Sequence, residues 1–285
     1  CFQMLYIPIL GALALAGTTI MERIVLKTRK INIRPFQTFT FLASVIVMLP
    51  LIYFFWKADS QAFELKNILI FLLVIIFSMA ANLFAFYSLK WEKVTHLEPA
   101  RMLEPLFVVT LAIFFSFFSG LYERNLNVII PSLIAASALV FSHIKKHHLE
   151  FNKYFLAAIA GSLFFALELI VSRLILNYYN PLSFYFLRCS SIFLISIILF
   201  RPKLSNLKGR IKYEIFGIGI LWVVYRLIVY YGYLHYGVIF TTLIIMLGPV
   251  FIYLFAWKFL KEKLELRNIV AAVVIVGCVL YAMIG

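Results

Sequence analysis

Charge is scarce in this chain. Only 13% of its 285 residues are Asp, Glu, Lys or Arg, against about 25% in an ordinary water-soluble domain. Acidic residues number just 12, while 64% of the residues are hydrophobic and the mean hydropathy is +1.01. A soluble fold of this length would have too few polar side chains to cover its surface, so lipid must be the outer solvent. Cysteine is scarce as well. Cys1, Cys189 and Cys278 are the only ones, two of them inside apolar runs, which excludes a disulfide framework. Long polar stretches are missing. The longest, near Lys145 to Lys153 and Arg201 to Glu214, reach about a dozen residues, too short for a folded domain of about 50–250 residues. A phosphate loop of the Gly-x-x-x-x-Gly-Lys-Ser/Thr type is also absent, so no nucleotide-hydrolysing domain is hidden here. No cleavable signal peptide stands out, and Cys1 in place of Met reads as a trimmed end.

What is present fits a membrane. The 30 Phe and 16 Tyr suit lipid-facing packing and interfacial belts. Apolar runs of membrane-spanning length, roughly 17–25 residues, fall near 4–26, 35–56, 66–89, 97–118, 126–143, 154–176, 182–200, 212–234, 239–259 and 267–284. The net charge of +14 does not point to nucleic acid, because Lys and Arg sit mostly between these runs. The odd-numbered loops hold about eighteen Lys and Arg against about three on the other side, the bias of the positive-inside rule. Those loops are therefore expected in the cytoplasm, with both termini outside, in a multi-pass protein of the plasma or inner membrane.

The two halves resemble each other. A shift of 144 positions pairs Tyr87 with Tyr231, Met102 with Met246, Leu103 with Leu247 and Pro105 with Pro249. A shift of 150 pairs Gly11, Leu13, Ala16 and Arg23 with Gly161, Leu163, Ala166 and Arg173. Units of five spans must lie inverted in the membrane, a recurring plan of secondary transporters with a central site. The expected fold is an all-α integral membrane protein of ten transmembrane helices. Its two inverted five-helix repeats, 1–146 and 151–285, would surround a central cavity.

On these residues the chain resembles the drug/metabolite transporter superfamily, in its ten-helix form built from two EamA-type repeats. Leu103-Glu104-Pro105-Leu106-Phe107 and Leu247-Gly248-Pro249-Val250-Phe251 carry the resemblance, matching a kink in the fourth helix of each repeat. Trp257 to Glu262, then Leu264 to Gly277, is similar to the family's closing pattern, with Lys261-Glu262-Lys263-Leu264 in place of Gly-Glu-Arg-Leu. Arg188 matches an arginine common in the second helix of the repeat, where the first half has Leu42. The resemblance implies transport, commonly efflux.

A charge near the bilayer centre costs at least about 2.5–3.5 kcal/mol, so it normally faces a cavity or a partner. Span four holds Glu98, Arg101 and Glu104, spaced three apart, so Arg101 can meet either carboxylate on one helical face. Glu104 precedes Pro105, which removes a backbone hydrogen bond and bends the helix. In span eight Trp222, Arg226, Val229, Tyr230 and Tyr233 recur at helical spacing with Tyr225 beside them, and Arg226 is too deep to reach water easily. The repeat pairs Arg226 with Asn82 and Tyr230 with Phe86. Glu168 lies mid-span in the sixth run, with Thr18 at the equivalent place in the first. These positions define a candidate substrate-binding set of Glu104, Arg101, Arg226, Glu168, Asn82, Trp222, Tyr230 and Thr18. Glu104 or Glu168 is a candidate proton carrier. Glu22, Arg23 and Arg173 lie nearer span ends, where ion pairing or snorkelling is the default. Thr241 and Thr242 are further candidates for solute contact.

His143, His147 and His148 have no Cys or acidic residue at ligand spacing and read as a solvated basic loop. No metal, cofactor or nucleophile–base set is expected. The favoured function is secondary transport, export or exchange, of small polar metabolites such as amino acids or organic acids. A lipid scramblase or channel is the alternative, with an intramembrane enzyme behind it.

Overall fold

The computed structural model describes residues 6–28, 31–92, 97, 100–122, 124–143, 152–202, 209–251 and 266–284. Among them the chain is helical, with one isolated bridge between Ala58 and Tyr179 and no strand. We number the ten helices α1 (Tyr6–Arg23), α2 (Ile33–Phe55), α3 (Leu65–Trp91), α4 (Leu103–Ser116), α5 (Leu126–His143), α6 (Lys153–Ile175), α7 (Pro181–Phe200), α8 (Ile211–His235), α9 (Val238–Ile245) and α10 (Leu266–Ile284). A π-helical turn, Ile24–Thr28, prolongs α1. Six helical segments are long and apolar enough to cross a membrane, and the other four are shorter apolar helices. Each of the ten helices overlaps one of the ten apolar runs; α4 and α9 are interrupted, and residues 98, 99 and 252–259 of those two runs lie outside the described residues.

Those interruptions follow from proline. Pro105 and Pro249 cannot donate a backbone hydrogen bond, and each ring crowds the turn before it. A turn falls at Met102 (φ −71°, ψ −6°) and another at Met246 (φ −61°, ψ −9°), in both cases three residues ahead of the proline. The freed carbonyls before Pro105 find a donor on α6, where Ser162 Oγ lies 3.0 Å from the Ala100 carbonyl and 3.4 Å from that of Arg101. Lipid supplies no such donor, so irregular backbone at this depth must be satisfied from within the protein.

Other boundaries are set by side-chain caps. Asn152 Oδ1 accepts the Tyr154 and Phe155 amides at the start of α6. Asn180 Oδ1 accepts the Ser183 amide at the start of α7, where Pro181 occupies the first turn. Between α8 and α9 the chain reverses within Tyr236-Gly237. Gly237 has φ +90°, a conformation costly for any residue with a Cβ.

In lipid, helices associate through close packing and hydrogen bonds rather than through hydrophobic expulsion. α3 runs along α6, α1 along α8, and α2 against both α7 and α8, while α10 lies on α5 and α4 on α6. Two of these seams rest on glycine. A Cβ on Gly161 would lie 3.2 Å from the Ala85 amide nitrogen, and one on Gly219 would lie 2.8 Å from Ala43 Cβ. The outer surface is apolar, with Tyr53 84%, Phe118 76% and Ile198 70% exposed, as expected of side chains that face lipid.

The two ends of the bundle differ. At one, Lys90 Nζ donates to Asn32 Oδ1 (3.0 Å), Asn152 Nδ2 donates to Glu92 Oε2 (2.9 Å) and the Arg34 guanidinium lies over the Phe200 ring. At the other, the α2–α3 corner is tied to the α6–α7 corner. The Asp59 amide donates to the Tyr178 carbonyl, the Asn180 amide to the Lys57 carbonyl, and the Lys57 amide to Ser183 Oγ. Asn180 Nδ2 also donates to the Phe55 carbonyl at the end of α2 (2.5 Å).

Candidate functional site

The two helix breaks face one interior space. Met102, Pro105, Met246 and Pro249 all line a mainly apolar compartment of about 100 Å³, with Val229 and Tyr233 across from them. A second, polar compartment of about 70 Å³ adjoins it. Arg101, Glu104 and Tyr225 face both. The polar side is built from α1 (Thr18, Glu22), α3 (Asn82), α7 (Arg188) and α8 (Trp222, Arg226).

Behind the polar compartment lies a buried ionic cluster. Glu168 on α6 is fully buried and meets two guanidinium groups, Arg188 Nη1 at 3.2 Å from Oε1 and Arg226 Nη1 at 3.2 Å from Oε2. Oε1 also accepts from Tyr230 Oη (2.8 Å) and Ser172 Oγ (3.2 Å). Arg188 is held on every side: Nη1 donates to Tyr230 Oη (2.6 Å), and Nε and Nη2 donate to Ser78 Oγ (3.1 and 2.5 Å). Arg226 is less completely bound. Its Nη1 and Glu168 Oε2 are close, yet neither atom has a hydrogen-bond partner among the described residues. The Arg226 guanidinium instead lies 5.6 Å from the Phe165 ring centroid and 5.5 Å from that of Tyr225.

At the α1 side, Glu22 Oε1 accepts from Trp222 Nε1 (2.8 Å). Trp222 in turn stacks on Phe86 and meets Phe41 edge-on, and Phe86 meets Phe36 edge-on, so an aromatic cluster floors the polar compartment. Glu22 lies in the field of Arg101, and Glu104 in the fields of Arg226, Arg101 and Glu168. No hydrogen bond or ion pair reaches the Glu104 carboxylate among the described residues.

The structure thus brings the sequence candidates together in two layers. Glu104, Arg101, Arg226, Asn82, Trp222 and Thr18 line the cavity. Glu168 and Tyr230 stand one layer behind it, as counter-ion and hydrogen-bond bridge. Thr18 Oγ1 and Asn82 Nδ2 also donate to carbonyls of their own helices, those of Ala14 and Ser78. Arg101 and Glu104 form no ion pair among the described residues, because the turn at Met102 falls between them and removes the helical register. Glu98 lies outside the described residues, as do His147, His148 and the side chains of Arg23 and His143.

Three residues matter more than their sequence positions suggest. Glu22, placed near a span end by counting, is buried because the π turn carries α1 farther on. Arg173 is buried too, and its Nη1 donates to Asn177 Oδ1. Arg188, noted only as a family match, is the most completely bonded cation of the cluster. A depth argument would have found it, as it found Arg226. Thr242 lines the apolar compartment and its Oγ1 donates to the Val238 carbonyl, whereas Thr241 is packed against Gly232. Among the described residues no group of His, Cys, Asp and Glu is placed to hold a metal ion.

No curated protein matches the chain. One solved structure, described only as the crystal structure of a protein, superposes with a TM-score of 0.70 at 16% identity, over 99% of this chain and 96% of that one. That likeness speaks for the fold alone. The model of the EamA-like transporter family matches residues 3–120 and 152–284, most of the chain. The chain is a multi-pass membrane protein and belongs to the EamA-like transporter family, within the drug/metabolite transporter superfamily.

Proposed function

We propose that the protein is a secondary transporter of small amphipathic zwitterions, amino acids being the simplest class, exporting or exchanging them by alternating access. One observation carries this reading: the cavity joins an apolar compartment to a polar one in and behind which, among the described residues, arginines and glutamates are equal in number. Arg101, Arg188 and Arg226 are matched by Glu22, Glu104 and Glu168. Uncompensated charge in a low-dielectric interior is costly, so cargo without net charge can be enclosed while the balance holds. The apolar compartment has room for an aliphatic or aromatic side chain. An organic monoanion would upset this match unless a proton came with it, and Glu104, without a direct partner among the described residues, is the group to take that proton.

The helix pairings support the inverted-repeat reading of 1–146 and 151–285. Exchanging the halves turns the α3–α6 seam into the α8–α1 seam and the α4–α6 seam into the α9–α1 seam, and all four occur. The helix breaks at Met102 and Met246 correspond in the same way. The basic loop ends we assign to the cytoplasm of a plasma or inner membrane, following the charge bias. A scramblase would need its polar groups along a lipid-facing groove, whereas Glu22, Glu168, Arg188 and Arg226 are all buried.

Purified protein in liposomes tests the proposal. Preloaded L-leucine, L-methionine or L-phenylalanine should drive saturable counterflow of the labelled form without a pH gradient, and Arg226→Gln should sharply reduce it. Counterflow of organic acids alone, dependent on a pH gradient, would replace zwitterions with proton-coupled anions. Lipid scrambling without any solute counterflow would refute transport.

A further inference from the structure

The two arginines on Glu168 are held in opposite ways, and the difference assigns them different tasks. Arg188 has every nitrogen engaged and is 2% exposed. Arg226 borders the cavity, is 7% exposed, and leaves Nη1 without a hydrogen bond although Glu168 Oε2 is 3.2 Å away. A buried guanidinium N–H whose nearest acceptor is close but not aligned for a hydrogen bond is a strong donor waiting for a better one. Glu168 Oε2 is equally unbonded, while Oε1 is saturated by Arg188, Tyr230 and Ser172.

We propose that Glu168 is a resident competitor for the carboxylate of the cargo. Arg226 turns Nη1 from Glu168 Oε2 toward an entering carboxylate, with which it can form aligned, charge-assisted hydrogen bonds. Arg188, Tyr230 and Ser172 keep Glu168 in position throughout, so the same carboxylate recaptures Arg226 when cargo leaves. Glu168 thereby lowers the affinity of the site for carboxylates and hastens release. Arg226 is the group that distinguishes a carboxylate-bearing cargo from the corresponding amine, and Arg188 is a positioning residue. The inference rests on the zwitterion reading above.

Binding of L-leucine and of isopentylamine, the same skeleton without the carboxylate, is measured on purified wild type, Glu168→Gln and Arg226→Gln. In Glu168→Gln the leucine-to-isopentylamine affinity ratio should rise by about tenfold, a usual size for coupling between sites. In Arg226→Gln it should fall by about as much. Arg226→Gln keeps the Arg188–Glu168 pair intact, so it remains informative should Glu168→Gln fail to fold. A ratio unchanged in either folded variant, or moving the other way, overturns the competitor role while leaving transport standing. If wild type binds neither probe, the zwitterion reading falls first and this inference with it.

Discussion

The helix break before Pro105 makes a quantitative prediction about Ser162. Its hydroxyl, on α6, reaches the Ala100 carbonyl at 3.0 Å and the Arg101 carbonyl at 3.4 Å. The second of these acceptors lacks its normal donor because residue 105 is proline. Ser162→Ala should therefore strand buried acceptors, at about 1–3 kcal/mol by soluble-protein measurements. Hydrogen bonds between membrane helices average about 0.6 kcal/mol and reach about 1.7, so a cost near 1 kcal/mol is expected in the wild-type background. Pro105→Ala restores an N–H that can close on the Arg101 carbonyl. In that background Ser162→Ala should cost less than about half as much, a coupling of the size that contacting residues show. Pro105→Ala alone should slow transport, because the break that lines the cavity closes. Equilibrium unfolding of all four proteins in mixed micelles gives the cycle. Equal cost of Ser162→Ala with and without Pro105 would refute the idea that the hydroxyl stands in for the missing amide.

Three more expectations concern packing and charge. Gly219→Ala puts a Cβ 2.8 Å from Ala43 Cβ and 3.0 Å from backbone atoms of Ala43 and Ser44. Backbone cannot yield, so a loss of about 1–3 kcal/mol is expected despite better helix propensity, read as a lower unfolding midpoint. At Gly232 the new Cβ would lie 2.5 Å from Thr241 Cγ2 and 2.7 Å from its Oγ1. Gly232→Ala should destabilise alone and recover in combination with Thr241→Ala, by the same unfolding cycle. Arg188→Gln should cost more stability than Arg226→Gln, approaching the about 3–5 kcal/mol of a broken buried pair. Arg226→Gln should mainly reduce leucine counterflow.

The helices were legible because each needs a long apolar run, and lipid permits few other backbone forms. The breaks were legible too, since Pro105 and Pro249 occupy equivalent places in the two halves. Depth in a span was enough to single out Glu168 and Arg226 as groups needing a partner. Their mutual contact was not readable, because residues 168, 188 and 226 meet only once α6, α7 and α8 are assembled. The spacing of Arg101 and Glu104 misled for a local reason. It presumes a continuous helix, and the turn at Met102 cancels that premise. Glu22 was misplaced by counting to a span end that the Ile24–Thr28 turn extends. Glu104 and Arg101 are exposed to the cavity, and their roles rest on the proposed cargo.

The tie between the α2–α3 and α6–α7 corners bears on how the protein is made. Two of its acceptors, the carbonyls of Phe55 and Lys57, are synthesised long before their donor Asn180. During biogenesis the first half therefore waits with the end of α2 uncapped until α7 has entered the membrane. Translation of a chain stopped before Asn180 would leave that corner open, a ready target for quality control. The missing cap could then be supplied in trans by a separately expressed second half, provided it begins far enough upstream to carry the Tyr178–Ser183 corner.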